Sequence, residues 1–313
     1  MDLLVTVVFG AIIITVSWGY DVRWQLPAPK LGVFDYTDVT ALAIVVVIYP
    51  FVAVVEPPWL AAVINGALMV NAVADLAAPM LKTRGFRAVA LVLSVTVVVL
   101  VATSHTGPIP GWALTDLLLV AVVVAVAVAW AQLGATLAHL AVLAAFLTIY
   151  DITATTLTGF MDALLGALGH QPISFVFTFP AARGTACLGV GDMLILALVP
   201  LTAPRRLRPH AALGAALLMY GAYLAGLAIS ATHPTATIPL MITLGPATLA
   251  IYGYTAVQHN TALEQPERVA SAEAAAATGL CRNTVPGKAV SAEHQAWQAP
   301  RRRRRDCAAG VAT

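Results

Sequence analysis

Along the first 257 residues the apolar positions neither alternate with polar ones, as in a half-buried strand, nor form the narrow stripe of a surface helix. They run on, as between 88 and 104 or between 117 and 133. Such runs can cross a hydrocarbon core of about 30 Å at about 1.5 Å per residue. Charged residues, prolines and glycines divide them into nine predicted spans, approximately 3–20, 40–56, 59–81, 87–104, 112–132, 135–158, 184–203, 210–231 and 236–257. The second and third are separated only by Glu56, Pro57 and Pro58, and the fifth and sixth only by a turn near Gly134. Both pairs are therefore expected to be tight antiparallel hairpins. The predicted fold class is all-α, a polytopic membrane helix bundle with about nine transmembrane helices.

Composition agrees, with 60% hydrophobic and 10% charged residues, where an average soluble domain carries about 25% charged. An ordinary soluble domain and an alternating outer-membrane barrel are excluded. The chain is expected to divide into a nine-span domain over 1–257 and a disordered tail over 258–313, which carries the run Arg301 to Arg305 and few large aliphatic residues. The first run follows Asp2 rather than a basic segment, so it is read as a retained helix and not a signal peptide. Cys187, Cys281 and Cys307 have neither framework nor metal-ligand spacing, so no disulfide, metal or cofactor is expected.

Charge sets the expected orientation. With nine spans, 16 of the 17 Lys and Arg residues fall on one side and only Arg183 on the other. The positive-inside rule then places the N-terminus outside and the C-terminus in the cytoplasm. The arginine run on a bilayer-tethered tail is read as a lipid-facing or topological element rather than a nucleic-acid site.

Ionisable groups inside spans are costly, so each is a functional candidate until a boundary explains it. Asp75 and Asp116 lie near predicted span ends, within reach of interfacial water, and His139 is read as a hydrogen-bonded packing residue. Asp151 and Asp192 are different. Asp151 sits seven residues before the outer end of span six at Thr158, and Asp192 eight residues after the outer start of span seven at Gly184. Both are then expected about 10 to 12 Å below the outer boundary, on antiparallel neighbours. Two close carboxylates in a low-dielectric site cannot both ionise cheaply, so the pair supplies one acid and one base. Such a dyad can activate water and protonate a peptide carbonyl. In the string GVGD, Gly189 and Gly191 remove side chains from the approach to Asp192.

These residues resemble the presenilin and signal peptide peptidase group of intramembrane aspartic proteases, whose pattern is YD, then GxGD, then PAL. IYDITATT carries the first motif in span six and LGVGDMLILALVP the second in span seven. The resemblance covers roughly 3–257 and implies a catalytic pair Asp151 and Asp192, with Tyr150, Gly189 and Gly191 in support. The third motif is degraded. TATIPLMITLG sets Ala236, Thr237 and Ile238 where P, A and L are expected, with Pro239 just beyond as the matching proline of a substrate-binding segment. The resemblance implies a proteolytic activity without cofactor. With the N-terminus outside, it also implies single-span substrates in the type II orientation.

Other readings share some of these features. A prepilin-peptidase-like protease also uses GxGD, but a basic residue usually follows that motif and Met193 stands here. A proton-coupled transporter would use the two aspartates as a relay, and a catalytically impaired relative would keep them without full activity. In the loop between spans six and seven, residues 160–168 are expected to form a short interfacial helix. Residues 173–179, ISFVFTF, read as a short strand centred on Phe175, Val176 and Phe177, whose backbone can pair with an unwound substrate, the alternative being a surface anchor. The expected partners are transmembrane substrates and the bilayer; the sequence identifies no partner subunit.

Overall fold

The structure is a computed structural model that describes residues 2–24, 26, 34–55, 58–80, 86–103, 111–168, 173, 175–181, 184–203, 209–232 and 239–258. They lie in a unit running from Met1 to Asn260, and the second unit, Thr261–Thr313, is outside the described residues. The helices are α1 (Asp2–Arg23), α2 (Tyr36–Val55), α3 (Pro58–Ala77), α4 (Phe86–Thr103), α5 (Gly111–Gln132), α6 (Leu137–Ile152), α7 (Phe160–Leu168), α8 (Val190–Thr202), α9 (Pro209–Thr232) and α10 over 241–258. The protein is an integral membrane helix bundle. Four stretches, Leu4–Arg23, Ala113–Gln132, Leu137–Leu157 and Ala212–Thr232, are long and apolar enough to cross a bilayer, and shorter apolar helices accompany them.

The predicted turn at Gly134 has a definite chemistry. Gly134 adopts φ 94°, a conformation that costs glycine little. The Ala135 N–H reaches the Trp130 carbonyl at 2.9 Å and the Gly134 N–H reaches Ala131 at 3.3 Å, so α5 ends with its last carbonyls satisfied. Thr136 then caps α6. Its hydroxyl accepts from the His139 N–H, and its own N–H donates to the His139 ring nitrogen at 3.3 Å. Asp35 opens α2 in a similar way, its carboxylate accepting from the Thr37 and Asp38 amides at 2.8 and 3.2 Å. The Asp38 and Thr37 amides hold the Asp35 carboxyl below its ordinary value. This cap is therefore in place at neutral pH and is lost only on acidification below the usual carboxylate range.

Helix α8 occupies the middle of the bundle. It packs against α5, α1, α9 and α6, and from Ile195 to Thr202 every residue is buried. That enclosure explains why its sequence is apolar all round. Small residues set the closest helix approaches. A Cβ on Gly10 would lie 2.4 Å from the Tyr223 ring, and one on Gly226 would lie 2.5 Å from Leu240.

Two short strands interrupt the helical pattern. β1 (Val176–Ala181) pairs antiparallel with β2 (Gly184–Gly189), Val176 facing Gly189 and Ala181 facing Gly184. The predicted strand is thus present, shifted toward its C-terminal end. β2 is a correction: residues 184–189 belong to predicted span seven, and they are extended rather than helical. Six residues of strand cover about 20 Å where a helix would cover about 9 Å. Asp192 accordingly stands in the first turn of α8, not eight residues inside a helix. The chain ahead of the hairpin is tied to α3, where the fully buried Asn65 donates to the Ile173 carbonyl at 3.0 Å and accepts from the Tyr49 hydroxyl.

Candidate active site

Asp151 lies in the last turn of α6, buried to 9% exposure, immediately before a single π-helical turn, Thr153–Leu157. Thr148 and Asp151 are three residues apart and share a face of α6. That face meets α10. The Thr148 hydroxyl reaches the Met241 carbonyl at 3.3 Å, and the Asp151 carboxylate accepts the Met241 amide. Met241 is the first residue of α10, whose initial amides have no partner within their own helix. α6 and α10 approach this closely because Gly245 has no side chain: a Cβ there would lie 1.9 Å from the Thr148 hydroxyl.

Asp192 enters from the other side. Its carboxylate folds back onto the strand end, accepting the Gly189 amide, and a Cβ on Gly189 would lie 3.0 Å from its Oδ2. A side chain at 189 would therefore crowd the carboxylate in its folded-back position. Gly191 is exposed and a Cβ on it would meet nothing within 4 Å. The Asp151 and Asp192 carboxylates interact electrostatically with one another. Tyr150 interacts with Asp151, and its hydroxyl is buried without a hydrogen-bond partner among the described residues. Tyr223, fully buried on α9, interacts electrostatically with Asp192 while its hydroxyl donates to the Thr6 carbonyl at 2.8 Å.

The other expected site residues are placed as follows. Pro239 is buried and its carbonyl accepts the Ile242 amide at 3.2 Å at the start of α10. Ala236, Thr237 and Ile238 lie outside the described residues. Phe177 is fully buried and meets the Phe9 ring edge-on at 4.9 Å, Phe175 meets Tyr49, and Val176 packs with Leu164 of α7. The strand thus turns its side chains into packing and leaves its backbone edge as the part that can meet another chain.

The ladder shows which edge. Val190 N–H bonds to the Phe175 carbonyl at 3.4 Å. Bonded and non-bonded pairs alternate in an antiparallel ladder, so Val176, Thr178 and Pro180 turn their backbone groups away from β2, and Thr185, Cys187 and Gly189 turn theirs away from β1. On β1 that edge is largely taken. The Thr178 amide donates to Asp116 of α5 at 3.0 Å, the Thr178 hydroxyl approaches the Val176 carbonyl at 3.5 Å, and Pro180 has no N–H. On β2, Cys187 is exposed and its amide has no partner among the described residues.

Sequence reasoning missed three of these residues. Asp116 was expected in reach of interfacial water, and instead it is buried to 5% exposure with one oxygen on β1 and Oδ2 without a partner among the described residues. Its apolar surroundings and its place six residues into α5 were the available signal. Tyr223 and the Met241 amide carried none, because an aromatic in an apolar run and a backbone group look ordinary.

No protein-family model matches the sequence, and no curated protein matches it. By structure the chain is similar to a presenilin family intramembrane aspartate protease in its P2 crystal form, with a TM-score of 0.52 and 19% identity over 82% of this chain and 96% of that one. The C222 form of a presenilin family intramembrane aspartate protease gives a TM-score of 0.51 and 17% identity over 82% and 97%. The chain has the fold of those proteases.

Proposed function

We propose that this protein is an intramembrane aspartic endopeptidase whose catalytic pair is Asp151 and Asp192. The observation that carries the reading is their convergence. One carboxylate from the end of α6 and one from the start of α8 share a charge interaction, and each is oriented by a backbone amide, Met241 for one and Gly189 for the other. In the reaction the ionised member removes a proton from water, which attacks the scissile carbonyl carbon while the protonated member gives its proton to the carbonyl oxygen. Proton transfer to the amide nitrogen then lets the C–N bond break. Tyr150 borders the pair, and its hydroxyl, without a partner among the described residues, is the group we assign to bonding the substrate or the intermediate.

A helical peptide bond is shielded by its own hydrogen bonds, so a substrate must unwind and its freed amides must find new partners away from water. The open edge of β2 offers them. Its Cys187 amide stands two residues before Gly189, whose own amide Asp192 accepts, so a strand added there lies next to the acid pair. The substrate class is single-span membrane proteins or membrane-retained signal segments. Purified protein incubated in detergent with a panel of such substrates should release two fragments from at least one of them, as read by mass spectrometry. No cleavage of any member by the folded protein would sink the proposal.

The same reading carries an orientation. With the basic loops cytoplasmic, the N-terminus is outside, the C-terminus inside, and substrates have type II topology. A reporter fused after residue 260 is expected to be active only in the cytoplasm; a signal from the outer side would overturn both inferences.

A further inference from the structure

We infer that Asp116 is a positioning residue, a latch that closes the outer edge of β1 and so directs an unwound substrate strand to β2. The inference rests on the proteolytic reading above but is testable apart from it. The hairpin offers an incoming strand two edges, and only one of them ends at Asp192. Pairing on β1 would place a substrate away from the acid pair, across the width of the hairpin. At the centre of the β1 edge, Asp116 Oδ1 holds the Thr178 amide at 3.0 Å. A fully buried ring, that of Phe177, anchors the neighbouring position into the core, so the edge is fixed as well as occupied.

Asp116 is a costly choice for a merely structural contact. It is buried in a membrane helix, its second oxygen has no partner among the described residues, and an apolar side chain would pack at less cost. What a carboxylate supplies here is an acceptor that reaches the backbone of a strand from a neighbouring helix. Exposed strand edges recruit other chains unless something covers them. Asp116 also interacts electrostatically with Cys187, the residue that faces Thr178 in the register, so the latch borders the strand whose edge stays open.

The full chain with Cys281→Ser and Cys307→Ser keeps Cys187 as its one thiol. Hydrogen exchange of residues 176–189 should accelerate about tenfold in Asp116→Ala and in Thr178→Pro, the latter removing the donor at a position that makes no bond to β2. Asp116→Asn keeps an acceptor and should stay within about twofold of the parent. In a second measurement, made in an Asp151→Asn background so that nothing is cut, a substrate with a single cysteine at its scission region is trapped as a disulfide to Cys187. Trapping should fall about tenfold with Asp116→Ala, stay within about twofold of the parent with Asp116→Asn, and be restored in Asp116→Ala with Thr178→Pro, where the freed edge has lost its donor. Unchanged exchange in both Asp116→Ala and Thr178→Pro overturns the latch, and faster exchange with undiminished trapping in Asp116→Ala overturns the edge-directing role. Should Asp116→Ala fail to fold, Asp116→Leu, which fills the space without an acceptor, decides both points. A chain that cleaves nothing but traps and exchanges as stated would defeat the proteolytic reading and leave the latch standing.

Discussion

Replacement of either Asp151 or Asp192 by Asn is expected to lower cleavage by about three to four orders of magnitude while leaving the protein folded and inserted. The size of the effect follows from the division of labour. One carboxyl must take a proton while its neighbour gives one, and an amide of the same shape can do neither. Both carboxylates are oriented by backbone amides as acceptors, and the Asn carbonyl can still accept them, so the local fold should persist. Fragment release measured by mass spectrometry, beside an unchanged thermal transition in detergent, checks both halves. The two single variants and the double variant should be equally inactive, because the residues act as a unit. A single variant retaining a tenth of the parent rate would rule out the dyad.

The second large effect lies away from the acids. Gly245→Val is expected to destabilise the bundle by about 1 to 3 kcal/mol through overpacking and to reduce cleavage about a hundredfold or more. The added Cβ would sit 1.9 Å from the Thr148 hydroxyl and 3.2 Å from the Thr148 Cβ, so α6 and α10 have to part. Parting them draws the Met241 amide off Asp151. Thr148→Ala removes the hydroxyl that collides and should restore part of the loss in the double variant. Gly221→Val on exposed α9 surface, where a Cβ meets nothing within 4 Å, should change neither stability nor turnover. Equal effects at 221 and 245 would mean that the close approach has no special role.

What the sequence made legible was set by which signals are one-dimensional. The run of apolar helices, the Gly134 turn and the helix at Phe160–Leu168 depend on local runs and punctuation, and the structure has them. Asp151 and Asp192 were visible because a carboxylate in an apolar run is conspicuous. β2 was not, because GTACLG leads without a polar break into the apolar α8, and a short run of small residues has no periodicity to separate strand from helix. That one ambiguity misplaced Asp192 along its helix. Asp116 was passed over for a different reason: nearness to a span end says nothing about whether a neighbouring strand covers it. Contacts of that kind, like the Met241 amide on Asp151, are made between elements far apart in the chain and become readable only once those elements are packed.

The start of α10 against Asp151 has a counterpart in Asp192, which stands in the first turn of α8. Two helix macrodipoles therefore converge on the acid pair with their positive ends, each equivalent to roughly half an elementary charge. Together they supply about one unit of counter-charge, the amount that would match a catalytic dyad holding a single proton. This counter-charge belongs to the backbone. No side-chain truncation deletes it, so alanine scanning across the bundle would find the acids and miss what balances them. Only changes that tilt or unwind a helix start, at Pro239 or at Gly189, would expose it.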